Sequence, residues 1–380
     1  MSDALLADHE AQFQDAVRAF TAREITPHAA AWDRAGRYPR ELFARLGALG
    51  WLGTAFPEDV GGSGGGSTLY ALMCAELARG SAGVALGMYV HTALACGAVH
   101  HLGSDGQRRR ILPAALRGER IACWAYAEPG AGSDVASVRT RARREGGGYV
   151  LDGGKLYITN APFADFAVLV ASTEPERGLK GLSLFVVELD RPGVTVGRPM
   201  EKLGMGASEM AEIVLDGCRA GEADRLGPEG TGFLQAMKVL TLGRIAAAAF
   251  GVGLGRAAHE TALTHVRERV QFGGPLLRQQ FVRFTLADMA TRLEAAWQLT
   301  LHAARLADAG KPHGNEASMA KLFATETCTW TCERALHLCG AQGYMLESAA
   351  QRFYRDCKVL EYGEGTSEIQ RETIARALEA

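Results

Sequence analysis

The stretch YVLDGGKLYI at residues 149–158 decides the fold, because the pattern of the chain changes there from helical to extended. Its Val, Ile and Tyr residues favour strands, and the central DGG is typical of a turn. We predict two short strands around this turn. Further apolar runs follow at residues 167–170, 182–187 and 212–215, with no helical stretch between them. This order predicts an antiparallel β domain, not a βαβ unit.

The regions on either side of this segment have helical periodicity. Near the start, Phe13, Val17 and Phe20 have amphipathic spacing. Near the end, apolar residues recur every four positions, as a bundle helix requires: Met289, Leu293, Trp297 and Leu301. We therefore predict an α+β fold with an N-terminal helical domain (1–120), a central antiparallel β domain (121–228) and a C-terminal four-helix-bundle domain (229–380).

Two glycine-rich segments lie in the helical regions. The segment GGSGGGS at residues 61–67 has the composition of a flexible linker, but helical pattern continues on both sides, so we predict a loop within the first domain. The segment GVGLG at residues 251–255 resembles a nucleotide-binding loop only superficially, because no strand precedes it. Close packing between helices is the better interpretation.

The composition narrows the class of protein. The 380 residues are 47% hydrophobic and 22% charged, with a formal net charge of −2, so charge gives no argument for binding nucleic acid or an anionic membrane. We find no signal peptide and no uninterrupted apolar run of membrane-spanning length. The eight cysteines include no C-x-x-C pair, so we expect neither a disulfide framework nor a metal site. These features predict a reducing, cytoplasmic location.

The segment EYGEGTSEIQ at residues 361–370 contains the strongest candidate catalytic group. The carboxylate of Glu364 lies between two glycines, which allow unusual backbone angles and the close approach of a ligand. Ser367 and Gln370 have the spacing of a capping box, so we predict that the last helix begins there. Taken alone, the segment fits a general base and a solvated turn equally well.

Four other segments have a local interpretation that remains open. AEPGAGSD at residues 127–134 could bind a phosphate or a flavin edge, or form a simple turn. In LYITN at residues 156–160, Tyr157 and Thr159 would share one strand face, so one could stack on a ring and the other bond to it. RVQFG at residues 269–273 places an arginine at a helix end, and LCGAQGY at residues 338–344 predicts a glycine-rich break between helices.

The order of these motifs is more specific than any one of them. Together with FPEDVGG at residues 56–62, they resemble the acyl-CoA dehydrogenase family over essentially the whole chain. The resemblance implies FAD as cofactor, an acyl thioester as substrate and an electron-transfer flavoprotein as electron acceptor. It also implies a homotetramer or homodimer, with no nucleic acid or membrane as partner.

The resemblance further implies roles for residues of this chain. Glu364 matches the catalytic base that removes the α-proton while flavin N5 takes the β-hydride, leaving the trans-2-enoyl thioester. In some relatives the base occupies the position of Gly243, which here offers no competing carboxylate. The implied cofactor-binding residues are Trp124, Tyr126, Ala127, Gly132, Ser133, Tyr157, Ile158, Thr159, Arg269, Gln271, Gln280, His337, Gly340, Ala341, Thr366 and Glu368. The implied substrate-binding residues are Ser133, Thr241, Arg244 and Gly365.

Three positions depart from the family pattern. Ala127 replaces a threonine that bonds the flavin edge, and His337 stands where glutamine is common. Thr241 replaces an aspartate that meets the pantetheine arm, which leaves the mode of CoA recognition open. We therefore retain two alternatives with related chemistry: a dehydrogenase acting on a carrier-protein thioester, and an oxygen-using oxidase. The retained Glu364 argues against a flavin monooxygenase and against a non-catalytic assembly factor.

Overall fold

The computed structural model describes residues 6–379 and contains helical, β and helical regions in that order, as predicted. The first region ends with α7, the strands β1 to β8 follow, and helix returns with α8. The helices of the first region are α1 (Asp8–Phe20), α2 (Ala29–Ala35), α3 (Glu41–Ala48), α4 (Gly66–Gly80), α5 (Ala82–Tyr89), α6 (Gly97–Leu102) and α7 (Asp105–Leu116).

The glycine-rich loop before α4 lies within the first region, as predicted. The N-terminus of α4 is capped by a side chain from the C-terminal region. Asp308 accepts hydrogen bonds from the backbone N–H groups of Ser67 at 2.5 Å and Thr68 at 2.9 Å, and from the Thr68 hydroxyl at 2.6 Å. A carboxylate at a helix N-terminus satisfies donors that have no partner within the helix and complements the helix dipole. The first and last regions are therefore joined at this point.

The second region is an eight-stranded sheet with the strand order β6-β7-β3-β2-β4-β5-β8, and β1 pairs with β4. Its strands are β1 (Ala122–Ala125), β2 (Arg141–Glu145), β3 (Gly148–Thr159), β4 (Phe166–Ser172), β5 (Leu182–Glu188), β6 (Val194–Val196), β7 (Met210–Gly221) and β8 (Arg225–Leu226). Most neighbours are antiparallel, but β1 and β2 pair with β4 in parallel. The chain between β1 and β4 is long enough for the return crossing that a parallel pair needs.

The prediction of two strands around a DGG turn is wrong. Residues 148–159 form one strand, and the turn lies earlier, at Gly146 and Gly147, whose φ angles are +59° and +81°. Such angles suit a two-residue hairpin turn. Gly153 instead marks a shift of register against β7, where a Cβ would lie 2.7 Å from Thr140 Cα. A glycine inside a strand is typical of such a bulge or close approach.

The C-terminal region consists of long helices that pack on one another. Its elements are α8 (Gly232–Glu268), the hairpin β9 (Val270–Gln271) and β10 (Gly274–Pro275), α9 (Gln280–Asp308), α10 (Gly314–Tyr344), α11 (Ala349–Cys357) and α12 (Ser367–Glu379). Helices α8, α9 and α10 contact each other, and α12 contacts α10. The predicted stripe from Met289 to Leu301 is buried, and the backbone of Gly340 leaves the helical region of φ/ψ space, as its glycine-rich break predicts.

The GVGLG segment lies inside α8 and makes close helix contacts, as predicted. A Cβ on Gly253 would lie 2.0 Å from the carbonyl oxygen of Ala75 in α4, and one on Gly255 would lie 2.6 Å from Leu293 Cδ2 in α9. The main hydrophobic core runs through the N-terminal helices, one face of the sheet and the C-terminal helices, while a smaller cluster covers the other face of the sheet. All eight cysteines are free and buried.

The prediction that no apolar stretch is long enough to span a bilayer is wrong by length and composition. Within residues 6–379 two helical segments are long and apolar enough, Ala82–Leu102 and Gly232–Glu268. In the most apolar 18-residue stretch of each segment, 89% and 72% of the residues, respectively, are buried inside the fold. Their apolar side chains therefore pack against other parts of the protein.

Candidate active site

The loop before α12 holds Glu364 in an uncommon backbone conformation. Its φ is +59°, in the left-handed region, and Gly365 follows with a φ of +90°. A left-handed conformation costs a residue with a Cβ about 1–2 kcal/mol. The side-chain amide of Gln370 donates to the carbonyl oxygens of Glu364 at 2.8 Å and Gly365 at 3.1 Å. These bonds help to hold the strained turn.

The last helix begins at Ser367, as predicted, but the predicted capping box does not form. The backbone N–H of Ile369 donates to the Thr366 hydroxyl at 3.3 Å, so Thr366 caps the helix. The Ser367 hydroxyl is buried without a hydrogen-bond partner among residues 6–379. With Thr366 as the N-cap, the third residue of the helix is Ile369, so Gln370 lies one position too far along to complete a box. The amide of Gln370 instead donates to the carbonyl oxygens of the turn that holds Glu364.

The carboxylate of Glu364 reaches a buried position between α5 and α8. The residue is half-buried overall, but its Oε2 is buried and has no hydrogen-bond partner within the described part of the chain. A methyl group added at Gly243 of α8 would have its carbon 2.7 Å from this Oε2 and 2.8 Å from the Tyr89 hydroxyl oxygen. The absence of a side chain at Gly243 is therefore what admits the carboxylate.

Burial raises the pKa of Glu364 to about 7. Three neighbours oppose this effect and favour the charged form: Tyr89, Arg244 and Lys321. Tyr89 lies close enough to act on the carboxylate, although the two groups are not aligned as a hydrogen bond. A carboxylate whose pKa lies near neutrality is well matched to general-base chemistry.

Two buried cations accompany the carboxylate. Arg244, next to Gly243 on α8, donates from Nη1 to the Ser318 hydroxyl at 3.1 Å, and burial lowers its pKa. Lys321 on α10 donates to the carbonyl oxygens of Gly365 at 2.7 Å and Glu361 at 3.3 Å. Burial lowers the pKa of Lys321 to about 8, although Glu364 opposes this.

The AEPGAGSD and LYITN segments lie side by side. The backbone N–H of Leu156 donates to the Ala127 carbonyl oxygen at 3.0 Å. The rings of Trp124 and Tyr126 are stacked, with centroids 5.6 Å apart and planes 9° from parallel. Gly132 and Ser133 lie in the exposed loop that follows. Two motifs that are separate in the sequence are thus adjacent in the fold.

The side chains of the LYITN segment do not alternate regularly between the two faces of the strand, contrary to the prediction. Tyr157 has a φ of +62° and is 62% exposed, whereas Ile158 and Thr159 are buried. The register against β7 shifts between Lys155 and Ile158. The alternation that placed Tyr157 and Thr159 on one face requires a regular strand, so that argument does not hold here. Tyr157 instead presents an exposed aromatic ring at the strand's irregular end.

A buried ion pair joins these two segments. Lys155 Nζ donates to Glu128 Oε1 at 2.6 Å, and both side chains are almost fully buried. Glu128 also accepts the backbone N–H groups of Arg139 at 2.7 Å and Thr140 at 3.1 Å. The glutamate is therefore well satisfied, and it fixes the loop that begins at Pro129.

The other predicted cofactor residues lie far from Glu364. Arg269 follows the last residue of α8, and the 1.5 Å rise per residue puts the end of α8 about 38 Å along the helix from Gly243. Arg269, Gln271 and Gln280 are exposed. His337, Gly340 and Ala341 are also exposed, and the His337 ring contacts Phe281, the neighbour of Gln280, edge to face at 6.5 Å.

The remaining residues predicted to bind cofactor or substrate lie next to the Glu364 turn or on α8. Thr366 and Glu368 lie at the start of α12, and Glu368 is exposed. The Thr241 hydroxyl donates to the Met237 carbonyl oxygen of its own helix at 2.9 Å. A ligand acceptor would have to compete with this bond, whereas the hydroxyl oxygen can still accept a hydrogen bond from a ligand donor.

Sequence reasoning missed Tyr89 and Lys321. Lys321 gave one usable signal: it lies on the same helix face as the buried residues Ala317, Ala324 and Cys328, where a lysine is unexpected. Tyr89 gave none, because it lies in a uniformly apolar helix. Among residues 6–379, no group of three or more His, Cys, Asp or Glu side chains is placed to hold a metal ion.

Comparison with known families matches the chain along its whole length. The matching descriptions are acyl-CoA dehydrogenase N-terminal domain at residues 7–119, middle domain at residues 123–218 and C-terminal domain at residues 230–379. An acyl-CoA dehydrogenase of Bacillus subtilis is 40% identical over 362 residues, which cover 95% of this chain and 96% of the relative.

Solved structures agree with this match. The butyryl-CoA dehydrogenase of Megasphaera elsdenii superimposes with a TM-score of 0.97 at 33% identity, covering 100% of both chains. A prolyl acyl carrier protein oxidase, AnaB, superimposes with a TM-score of 0.95 at 30% identity, covering 99% of this chain and 100% of the other. The fold, the ordered motifs and these full-length matches show that the chain belongs to the acyl-CoA dehydrogenase family.

Proposed function

We propose that this FAD-dependent acyl-CoA dehydrogenase oxidises an acyl thioester to the trans-2-enoyl thioester, with Glu364 removing the α-proton. The observation that carries the assignment is the position of the Glu364 carboxylate. It is buried and unbonded within residues 6–379, and it is held by a strained turn. A carboxylate kept free of partners at this cost is available to a substrate.

The protonation state of Glu364 suits this role. Its pKa of about 7 allows a substantial charged fraction at neutral pH, and the charged form can accept the α-proton. Arg244 and Lys321 favour that form, while burial makes the carboxylate a stronger base than one in water. FAD, when bound, supplies the acceptor for the hydride that leaves Cβ.

The substrate must also become more acidic, which requires donors at its thioester carbonyl. The backbone N–H of Glu364 has no acceptor among the described residues. We propose that this N–H donates to the thioester oxygen and stabilises the enolate-like charge that develops as the proton leaves. Glu364 would then act on the substrate at two points, from its side chain and from its backbone.

The residues proposed for FAD fit a large aromatic and polar ligand. The Tyr126 hydroxyl is buried and has no partner within residues 6–379, although a buried hydroxyl normally makes a hydrogen bond. Added Cβ atoms at Gly132 and Gly340 would meet nothing within 4 Å, so open space surrounds both loops. With the exposed ring of Tyr157, these features support binding of the isoalloxazine side by the residues from Trp124 to Ser133 and from Tyr157 to Thr159.

We propose that Arg269, Gln271 and Gln280 bind the FAD of a second copy of the chain. These three residues follow the end of α8, which lies about 38 Å along that helix from Gly243, too far to share the substrate contacts of the base. Their exposure, together with that of His337, Gly340 and Ala341, leaves them accessible to a neighbouring subunit. The assembly would be a homodimer or homotetramer, passing electrons to an electron-transfer flavoprotein.

A carrier-protein thioester is a second candidate substrate. It is favoured by Thr241, whose hydroxyl is bonded within its own helix, and by the structural likeness to AnaB, a prolyl acyl carrier protein oxidase. Turnover of one acyl group on CoA and on a carrier protein distinguishes the two substrates. Hydrogen peroxide release upon admission of air tests the oxidase alternative.

The assignment of Glu364 is tested by Glu364→Gln. We expect the variant to bind FAD and fold, but to reduce the rate of flavin bleaching by an acyl thioester by about 10³-fold or more under anaerobic conditions. Glu372→Gln is the matched control, because Glu372 is exposed on α12, its carboxylate accepts from Arg376 Nε at 2.7 Å, and it makes no hydrogen bond to the Glu364 turn within residues 6–379. Wild-type bleaching by the Glu364 variant would rule out its role as the base.

A further inference from the structure

Lys321 is a buried lysine whose side chain ends at the base loop. It is 0% exposed, and Nζ donates to the carbonyl oxygens of Gly365 at 2.7 Å and Glu361 at 3.3 Å. These carbonyls flank Glu364 in the sequence, one directly after it and one three residues before it. The lysine thus crosses from α10 to both ends of the turn that presents the carboxylate.

The turn needs an external restraint. Glu364 and Gly365 have φ angles of +59° and +90°, and a left-handed conformation at a residue with a Cβ persists only where its surroundings impose it. Gln370 holds the carbonyls of Glu364 and Gly365 from the side of α12. Lys321 holds the turn from α10, so the orientation of the carboxylate depends on both helices.

The charge of Lys321 has a second effect. It favours the charged form of Glu364, but no direct ion pair joins the two groups in the described part of the chain, since Glu364 Oε2 has no bonded partner. A direct pair would occupy the carboxylate oxygens. Placing the ammonium behind the backbone carbonyls leaves those oxygens free for a proton while still favouring the charge.

A purely structural role explains this arrangement less well. Burying an ammonium has a large desolvation cost, and an apolar residue of similar size often gives equal or greater stability. The low pKa of Lys321, about 8, reflects that cost. Within residues 6–379, Glu364 is the only Asp or Glu with a left-handed backbone conformation. A buried ammonium group bonded to the turn of this residue therefore points to a functional requirement.

We propose that Lys321 is a positioning residue for the dehydrogenation. It fixes the Glu364 turn through the carbonyls of Glu361 and Gly365, and its positive charge favours the charged form of Glu364 without forming an ion pair with it. This inference rests on the proposed function of Glu364. Lys321 acts through that residue and needs no contact with the substrate or the cofactor.

The test compares Lys321→Met with Lys311→Met, which removes an exposed lysine from the loop before α10, and with Glu364→Gln. For Lys321→Met we expect kcat to fall between about tenfold and a hundredfold while KM changes little, because the base is misplaced by a fraction of a bond length. The pH midpoint of kcat/KM should rise by about one unit, since a cation near the carboxylate is lost. The isotope effect of α-deuterated substrate should increase, because proton removal becomes slower.

A structural role alone would lower the unfolding temperature but leave the pH midpoint and the isotope effect unchanged. That outcome overturns the inference, as do wild-type kcat and pH profile in Lys321→Met. If this variant does not fold, Lys321→Gln, which retains a donor without the charge, is judged by the same pH midpoint and isotope effect. If Glu364→Gln remains active, the proposed base is wrong; if Glu364→Gln is inactive and the Lys321 variants behave as wild type, only the inference about Lys321 is wrong.

Discussion

Two buried lysines lie near two glutamates with buried carboxylate oxygens, but only one of the lysines bonds its glutamate directly. In the β region, Lys155 bonds Glu128 directly at 2.6 Å. In the C-terminal region, Lys321 bonds backbone carbonyls and leaves the Glu364 carboxylate unpaired within residues 6–379. Burial lowers the pKa of both lysines to about 8.

The glutamates respond in opposite directions. Burial opposes the charge of Glu128, but Lys155, Thr140 and the Arg139 backbone N–H outweigh it and hold its pKa below the usual range. Burial dominates at Glu364 and raises its pKa to about 7. A direct pair therefore makes a glutamate inert and structural, whereas a displaced cation leaves it able to exchange a proton near neutrality.

The largest expected effect comes from breaking the direct pair. Lys155→Met should lower the free energy of unfolding by about 3–5 kcal/mol, because it leaves the charge of Glu128 buried without its partner. Denaturant unfolding measures the change. The double variant Lys155→Met/Glu128→Gln should recover much of the loss, since it removes both charges. A double variant no more stable than the single one would show that the pair itself is not the origin of the effect.

A smaller effect is expected from closing the space at the unpaired glutamate. In Gly243→Ala, the new Cβ would lie 2.7 Å from Glu364 Oε2 in the present geometry, so the carboxylate must move. A displacement of about 1 Å should lower kcat/KM by about 100-fold. Gly106→Ala is the control, because Gly106 is also helical and its Cβ would lie 3.9 Å from Ser104 Oγ, an ordinary contact distance. Unchanged kinetics in Gly243→Ala would contradict the described position of Glu364.

The smallest effect is a difference in pH response between the two glutamates. Activity requires charged Glu364, so kcat/KM should rise with pH around a midpoint near 7, by about tenfold between pH 6 and pH 8. Glu128 has a lowered pKa, so its contribution to stability is present above the unfolded value and is lost only as the pH falls below 4.5. Steady-state kinetics around pH 7 and unfolding measurements that extend well below pH 4.5 should therefore show separate transitions. A common midpoint would mean that one unfolding event causes both.

The sequence was sufficient to predict the order of helical and β regions and the start of the last helix. These features depend on local periodicity and on short motifs, which are present in the linear sequence. The error at residues 149–158 arose because a DGG triplet can form either a turn or a bulge, and the choice depends on how β3 pairs with β7. The capping error arose because Thr366 and Ser367 can both cap a helix, and Thr366 takes that position, which moves Gln370 out of register for a box.

The surroundings of Glu364 could not be predicted in the same way. Tyr89, Gly243 and Lys321 come from α5, α8 and α10, and only the packing of those helices brings them to the base. The sequence identifies Gly243 as a position without a competing carboxylate, but its contact with Glu364 depends on a close approach between chain segments far apart in sequence. The chemistry of the base thus resides in contacts that no single segment encodes.

The bonds of Asp308 to the first turn of α4 bear on how the protein unfolds. They close the N-terminus of a helix in the first region with a side chain from the third, and Gly253 packs against Ala75 of the same helix. Neither helical region is complete without the other. The two helical segments should therefore not melt separately, and amide hydrogens in α4 and α8 should exchange together through a single cooperative opening.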